Sequence, residues 1–413
     1  ANDAAFGNPY WLGAPYTTTY QVDGYQNLGK PENEPQLSLD VILEIGGYEF
    51  TASLPLKRKI VDPAKAVLYS PVYIVPRLTA GFEESTIITT EAESKEVMVT
   101  AVAHEAGLEG VLRPKPPKGW ICIPEEVELN FSKKEETRLS SFTIKPENNP
   151  VRGPIGLEFQ ETGSSEITTL RNLRVIEYDH IPTQIELSPS EVEIVPIDLD
   201  RGGVNRIGYI EGPGDEVAKY LRAVGYEVDI ISTENLISGD FSGYDAVVTG
   251  IRAYNTREDL AFAEKALNDY VKNGGTWLVQ YNTTRGLKQD QIGPYPFQLS
   301  RERVTDETAM PEFLYPAHPV LNQPNRIRMD DFDDWVQERG LYFANEWDEA
   351  FIPIIAWSDP EEPPRKGGLI VAPYGKGHFV YSGISFFREL PAGVSGAYRL
   401  LSNILALSQS RNE

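Results

Sequence analysis

The hydrophobic period of this chain changes near residue 200, and that change limits its folding more than any other feature. From about Pro35 to Ile181 the apolar residues recur at every second position, which predicts strands. In "LSLDVILEIGGYEFTASL", Leu39, Val41, Leu43 and Ile45 fall on one face, and Gly46-Gly47 offers a hairpin turn because glycine accepts positive φ. The same alternation returns in "KEVMVTAV", "EVELNFS", "SFTIKP" and "IGLEF", between clusters of Pro, Gly, Asn and Ser. Short strands at this spacing predict β-sandwich modules. Two are expected, over 1–82 and 83–182, and residues 183–204 are expected to be a linker containing a strand. With 413 residues, several domains are expected.

Beyond the Gly-rich "DLDRGGVNR", strands alternate with helices. "RIGYI", "EVDII", "YDAVVTG" and "TWLVQY" are buried strands. "GPGDEVAKYLRAVGY" and "NTREDLAFAEKALNDYVKNGG" are helices, the second with Thr256 as its expected cap and Asp259 three residues on. "GGLIVAPYGKGHFVYSGIS" is a hairpin turning at Lys376-Gly377, and "GAYRLLSNILAL" is a closing helix. This alternation over 205–413 predicts a parallel sheet covered on both faces.

Ligands of such a sheet bind beyond the carboxyl ends of its strands, so a few loops become candidates. "GIRAYNT" offers Arg252, Tyr254 and Asn255; "YNTTRG" offers Tyr281, Asn282 and Arg285; "SGISFFRE" offers Ser385 and Arg388. They either converge on one small-ligand pocket or serve as loop residues satisfying the backbone. The Gly-rich "EGPGDE" does not match GxGxxG, and Glu211, Asp215 and Glu216 would repel phosphate, so a tight turn before a helix is expected there.

The residue inventory restricts the chemistry. Cys122 is the only cysteine, and His104, His180, His318 and His378 are scattered, so neither a disulfide nor an all-protein zinc site is expected. HExxH and GxSxG are absent. A tyrosine hydroxyl, with an ordinary pKa near 10, needs strong activation to serve as a nucleophile. His318 is followed by proline and is expected to be structural. "RMDDFDDWVQER" lacks calcium-loop spacing, so Asp330, Asp331, Asp333 and Asp334 are expected at a solvated helix start. Tyr10-Trp11 is either a sugar-stacking platform or a packing pair. The net charge of −23, from 61 acidic and 38 basic residues, disfavours nucleic acid. No apolar run approaches the roughly 20 residues of a membrane span. The opening "ANDAAFGNPYWLG" lacks a signal-peptide pattern and is expected to be a processed start.

"HPVLNQPNRIRMDDFDDWVQERGLYFANEWD" and "GGLIVAPYGKGHFVYSGISFFRELPAGVSGAYRLLSNILAL" resemble the C-terminal region of long LmbE-like (PIG-L family) N-acetylglucosamine deacetylases. "NPYWLGAPY" and "LGKPENEPQLSLDVIL" resemble the stretch that follows the deacetylase domain there. The resemblance implies immunoglobulin-like sandwiches followed by a flavodoxin-like, class I glutamine amidotransferase-like (ThuA-like) α/β domain. In it the amidotransferase cysteine would fall at or beside Tyr281. The family's zinc motif, AHPDDE, has no counterpart here; "AHEAGLEG" lacks the Pro-Asp-Asp. No catalytic or metal-binding residue is therefore carried over, and zinc is expected only in the deacetylase domain absent from this sequence. The expected role is a non-catalytic accessory region of a secreted or periplasmic enzyme, with a glycan or a cell-envelope protein as partner. Two alternatives stand beside it: an independent hydrolase or small-ligand-binding protein using Tyr281 with Arg252, Arg285 or His318, and a structural subunit of a cell-envelope assembly.

Overall fold

A computed structural model describes residues 6–12, 19–22, 27–64, 66–90 and 93–408. The protein is β-rich and divides into two compact units, Ala1–Ile87 with Ser94–Ile194, and Ile88–Glu93 with Val195–Glu413.

The first unit contains a β-sandwich. One sheet orders the strands Leu78–Phe82, Lys95–Ala103, Glu136–Pro146 and Trp120–Ile123, all antiparallel. The other runs Val127–Phe131, Leu108–Lys115, Gly153–Glu161, then Glu191–Ile197. Alternate residues of both sheets face inward, as the period of two requires. Val99, Phe131, Phe142, Ile144, Ile155 and Leu157 are fully enclosed in the shared core. Cys122 lies in this core, where burial pushes its thiol up to about 11.

This arrangement corrects the expected domain limits. Among the described residues, 1–82 form no sandwich of their own. Ser38–Ile45 pairs with Tyr48–Pro55, and Lys57–Asp62 with Ala66–Pro71, as two-stranded hairpins. The Leu78–Phe82 strand belongs to the next sandwich. Residues 183–194 are no linker either: Ile181–Pro189 pairs with Arg171–Tyr178, and Glu191–Ile197 with Gly153–Glu161. The predicted turn forms at Gly46 and Gly47, at φ 61° and 82°. The predicted apolar face also forms, with Leu39, Leu43 and Ile45 opposite Leu54, Phe50 and Tyr48. All six of these side chains are exposed. Alternation specifies which residues share a face, but it does not specify that a second sheet covers that face.

The second unit is built on a seven-stranded sheet in the order Glu227–Ile230, Arg206–Ile210, Ala246–Thr249, Thr276–Gln280, Gly377–Ser382, Leu369–Tyr374, Ile352–Pro353. The first five strands are parallel and the last two antiparallel additions. Strands buried on both faces need continuous apolar runs, and "AVVT" and "TWLVQ" are buried at every position. Alternate residues feed two cores. Ile207, Tyr209, Val248 and Leu278 pack with Leu221 of the helix Val217–Ala223 and Leu401 of the helix Ser395–Leu405. Val247, Trp277 and Val279 pack with Leu260, Ala263 and Leu267 of the helix Leu260–Lys272. Among the described residues no helix is long and apolar enough to cross a membrane.

Two local expectations change. Thr256 does not cap the long helix; it ends a separate short helix, Ala253–Thr256, and its hydroxyl donates to the Arg252 carbonyl at 3.2 Å. Of the acidic run, Asp330, Asp333 and Asp334 are exposed as expected, and only Asp331 departs from a solvated helix start. Met329–Phe332 forms a 3-10 turn in which Asp331 is buried, accepting from the Arg328 N–H at 2.7 Å and from Arg399 Nη1 at 3.0 Å.

Candidate functional site

The chain winds outward from the strand Arg206–Ile210 in both directions, so the sheet reverses its order between that strand and Ala246–Thr249. The crevice beyond the carboxyl ends at such a point is where ligands of open α/β sheets bind. Here the two loops touch. A Cβ on Gly212 would lie 1.8 Å from the Ile251 carbonyl oxygen, and one on Gly250 would lie 2.1 Å from Asp215 Oδ2. The glycines of "EGPGDE" and "GIRAYNT" therefore serve close backbone approach. Asp215 joins the loops. It accepts from the Tyr209 hydroxyl at 2.6 Å and from the N–H groups of Val217 and Ile251 at 3.0 Å each. Burial raises its carboxyl pKa, and the three donors partly offset the rise.

The strained turn of the site falls at Arg252. Its φ of 56° and ψ of 18° are left-handed, a conformation that costs a residue with a Cβ about 1 kcal/mol or more. The turn after Thr276–Gln280, where the resemblance placed the nucleophile slot, is ordinary backbone: Tyr281 is not among the positive-φ residues. The Arg252 N–H donates to the Tyr281 carbonyl at 2.8 Å, which ties the two strand ends together.

The predicted site residues separate into two groups. Arg252 and Arg285 are exposed and have no acidic partner among the described residues. Tyr281 is 7% exposed, with its ring parallel to that of Tyr342 at 5.9 Å and tilted against Phe387 at 5.3 Å. Its hydroxyl makes no hydrogen bond among the described residues, and burial raises its pKa, with Arg252 and Arg388 pulling the other way. Arg388 lies 4.8 Å over the Phe387 ring, donates through Nε to Glu338 at 3.1 Å, and bonds Gln337.

The remaining candidates are committed to structure. Tyr254 points into the core, with its hydroxyl on Glu264 at 3.1 Å. Asn282 is fully buried, accepting from the Tyr254 N–H at 3.0 Å and donating to the Gln280 carbonyl at 2.9 Å. Asn255 clamps two loops. It accepts from the Thr283 N–H at 2.9 Å and donates to the Thr283 and Arg285 carbonyls at 3.1 Å. The Ser385 hydroxyl is buried and donates to the Glu338 carbonyl at 2.6 Å. His318 accepts from the Val320 N–H at 3.2 Å through Nδ1, and burial pushes its pKa down to about 4.

Sequence reasoning missed Tyr342, Gln337 and Glu338. Tyr342 and Gln337 are also left-handed, at φ 53° and 67°. The Tyr381 hydroxyl fixes the Tyr342 carbonyl at 2.6 Å. The Glu338 carboxylate is buried between Arg303, at 2.5 Å, and Arg388. Only the placement of their loops reveals them, and nothing local in the sequence marks it.

Among the described residues no group of three or more His, Cys, Asp or Glu side chains is placed to hold a metal ion. The site thus combines aromatic rings with guanidinium groups, and the Glu338 carboxylate acts on Tyr281 only through its charge among the described residues.

No family profile and no curated protein matches the chain. Solved structures similar to parts of it include a family 123 glycoside hydrolase from Clostridium perfringens, at 10% identity over 50% of this chain and 37% of that one, with a TM-score of 0.19. The CooA pilin subunit of enterotoxigenic Escherichia coli matches at 6% identity over 29% of this chain and 96% of that one, also with a TM-score of 0.19. The GH5 xyloglucanase of Bacteroides ovatus, in complex with a heptasaccharide, matches at 10% identity over 49% of this chain and 45% of that one, with a TM-score of 0.17. This chain spans about a third of the family 123 hydrolase it matches. At such scores these likenesses transfer neither fold nor function.

Proposed function

We propose that this chain is a non-catalytic accessory and binding region of a secreted or periplasmic LmbE-like carbohydrate de-N-acetylase, and that its α/β unit serves recognition. One observation carries the reading. The strained strand-to-helix turn at the switch point, where α/β hydrolases hold a nucleophile, presents Arg252. A guanidinium stays protonated, donates hydrogen bonds and cannot attack a carbonyl. Neighbouring Tyr281 has a raised pKa and no base within hydrogen-bond reach, so a hydrolase built on its hydroxyl lacks support.

The finer fold belongs to the same reading. Parallel strands wound second, first, third, fourth, fifth follow the flavodoxin-like order, which supports a relation to class I amidotransferase-like domains. The immunoglobulin-like character of the sandwich rests on its two antiparallel sheets and on the sequence resemblance. Zinc chemistry, on the same reading, would reside in a deacetylase domain. Incubating the chain with N-acetylated chito-oligosaccharides and zinc tests the reading. Saccharide binding without acetate release is expected, and zinc-dependent acetate release would overturn it.

A further inference from the structure

We propose that the surface around Arg252 and the Tyr281 hydroxyl takes the carboxylate of an acidic sugar, a uronic acid unit of an oligosaccharide. The inference rests on the recognition role proposed above and names the ligand class for that site.

Charge balance is the first argument. The chain carries 61 acidic against 38 basic residues, so an unpaired cation runs against its average. Several half-buried arginines here are neutralised, Arg257 by Asp259, Arg365 by Glu302 and Arg399 by Asp331, while the buried Arg339 donates to the Ala309 and Phe332 carbonyls. Arg252 and Arg285 have no such partner, and they stand on two loops that Asn255 binds together. A third guanidinium, Arg388, shares the carboxylate of Glu338 with Arg303, and Arg252 and Arg388 both lie close enough to Tyr281 to act on its hydroxyl. The local field therefore favours an anion inside a protein whose surface otherwise repels one.

Shape and donor geometry are the second argument. A guanidinium presents a planar fork that matches a carboxylate through two parallel hydrogen bonds. The Arg252 fork sits on a backbone fixed in a strained conformation and tied to Tyr281, so little ordering is lost on binding. Beside it, the half-buried rings of Tyr342 and Phe387, which flank the buried ring of Tyr281, offer apolar surface against which the C–H face of a sugar ring packs. The unpartnered Tyr281 hydroxyl supplies a neutral donor and acceptor for a ring hydroxyl. Inorganic phosphate has no C–H face to set against these rings.

Calorimetric titration of the full chain with oligogalacturonate, its fully methyl-esterified form, N-acetylated chito-oligosaccharide and inorganic phosphate tests the proposal. The acid form is expected to bind at least tenfold more tightly than the ester. Arg252→Ala is expected to weaken it tenfold or more, Arg252→Lys to restore only part of that loss, and Arg285→Ala to weaken it a few-fold. Equal binding of acid and ester, displacement of the oligogalacturonate by equimolar phosphate, or an unchanged Arg252→Ala titration would overturn the proposal. Binding of the neutral saccharides alone, abolished by Tyr281→Ala, would overturn the acidic ligand class and leave the recognition role standing. Binding of no saccharide would overturn both.

Discussion

The backbone N–H of Arg252 donates to the carbonyl of Tyr281 at 2.8 Å. This bond joins the ends of two adjacent parallel strands and holds the arginine left-handed at φ 56°. Such strain persists only where the surrounding structure enforces it, and here it orients the one exposed cation at the switch point.

Glycine adopts that conformation without the Cβ clash. Arg252→Gly is therefore expected to raise the unfolding free energy of the α/β unit by about 1 kcal/mol while abolishing saccharide binding. Urea denaturation followed by tryptophan fluorescence checks the first effect and calorimetric titration the second. A loss of stability would show that the guanidinium itself braces the fold.

Tyr254 behaves in the opposite way. Its buried hydroxyl donates to Glu264 alongside Gln289 at 2.9 Å, the Gly293 N–H at 2.8 Å and Asn268. Tyr254→Phe removes one of them from a buried carboxyl, so a loss of about 1–2 kcal/mol is expected, with ligand affinity unchanged. Urea titration together with calorimetry separates this from a binding role; a selective loss of affinity would return Tyr254 to the site.

Glu389 sets a pH dependence. Its carboxyl is fully buried and one oxygen, Oε1, has no hydrogen-bond partner. Burial pushes its pKa from the usual 4.5 up to about 8, although the Val336 N–H and Arg339 pull it down. The folded state thus holds a proton that the unfolded state releases. The associated stability is fully present below about 4.5 and is lost as pH rises toward about 8. Glu389→Gln removes this ionisation, so its stability is expected to exceed the wild type's increasingly between those limits, by at most about 1.4 kcal/mol per pH unit. Urea denaturation from pH 5 to 9 checks it, and parallel curves for the two proteins would contradict it.

The Ser38–Ile45 and Tyr48–Pro55 hairpin exposes its apolar face. Replacing Leu43 and Phe50, which face each other across the pair, with serine is expected to change sandwich stability by no more than about 0.5 kcal/mol. It should also lower the binding of a hydrophobic dye. A drop of several kcal/mol would mean that the face is packed in solution.

These expectations follow the boundary of what the sequence made legible. The period change, the strands of "RIGYI" and "TWLVQ" and the turn at Gly46-Gly47 express local patterns, and each was readable. The apolar face of Leu39, Leu43 and Ile45 was readable too, but its exposure was not, because burial depends on a partner sheet. At the site, loop position selected Arg252, Tyr281 and Arg388 together with Tyr254, Asn282 and Ser385. Which side chains turn inward depends on Glu264, Gln280 and Glu338, distant or buried partners that only the packed sheet brings near. The strain at Arg252 has the same origin. "YNTTRG" and "GIRAYNT" both follow buried strands, and the left-handed turn at Arg252 is fixed by contacts of Gly212, Gly250 and Asp215 that no local pattern encodes.

Hydrogen exchange of the full chain with and without oligogalacturonate tests the central claim most directly. The account predicts new protection confined to residues 250–256 and 281–286, the two loops joined by Asn255, and no product in the incubated sample. Protection elsewhere with these loops unchanged, or cleavage of the saccharide, would contradict it.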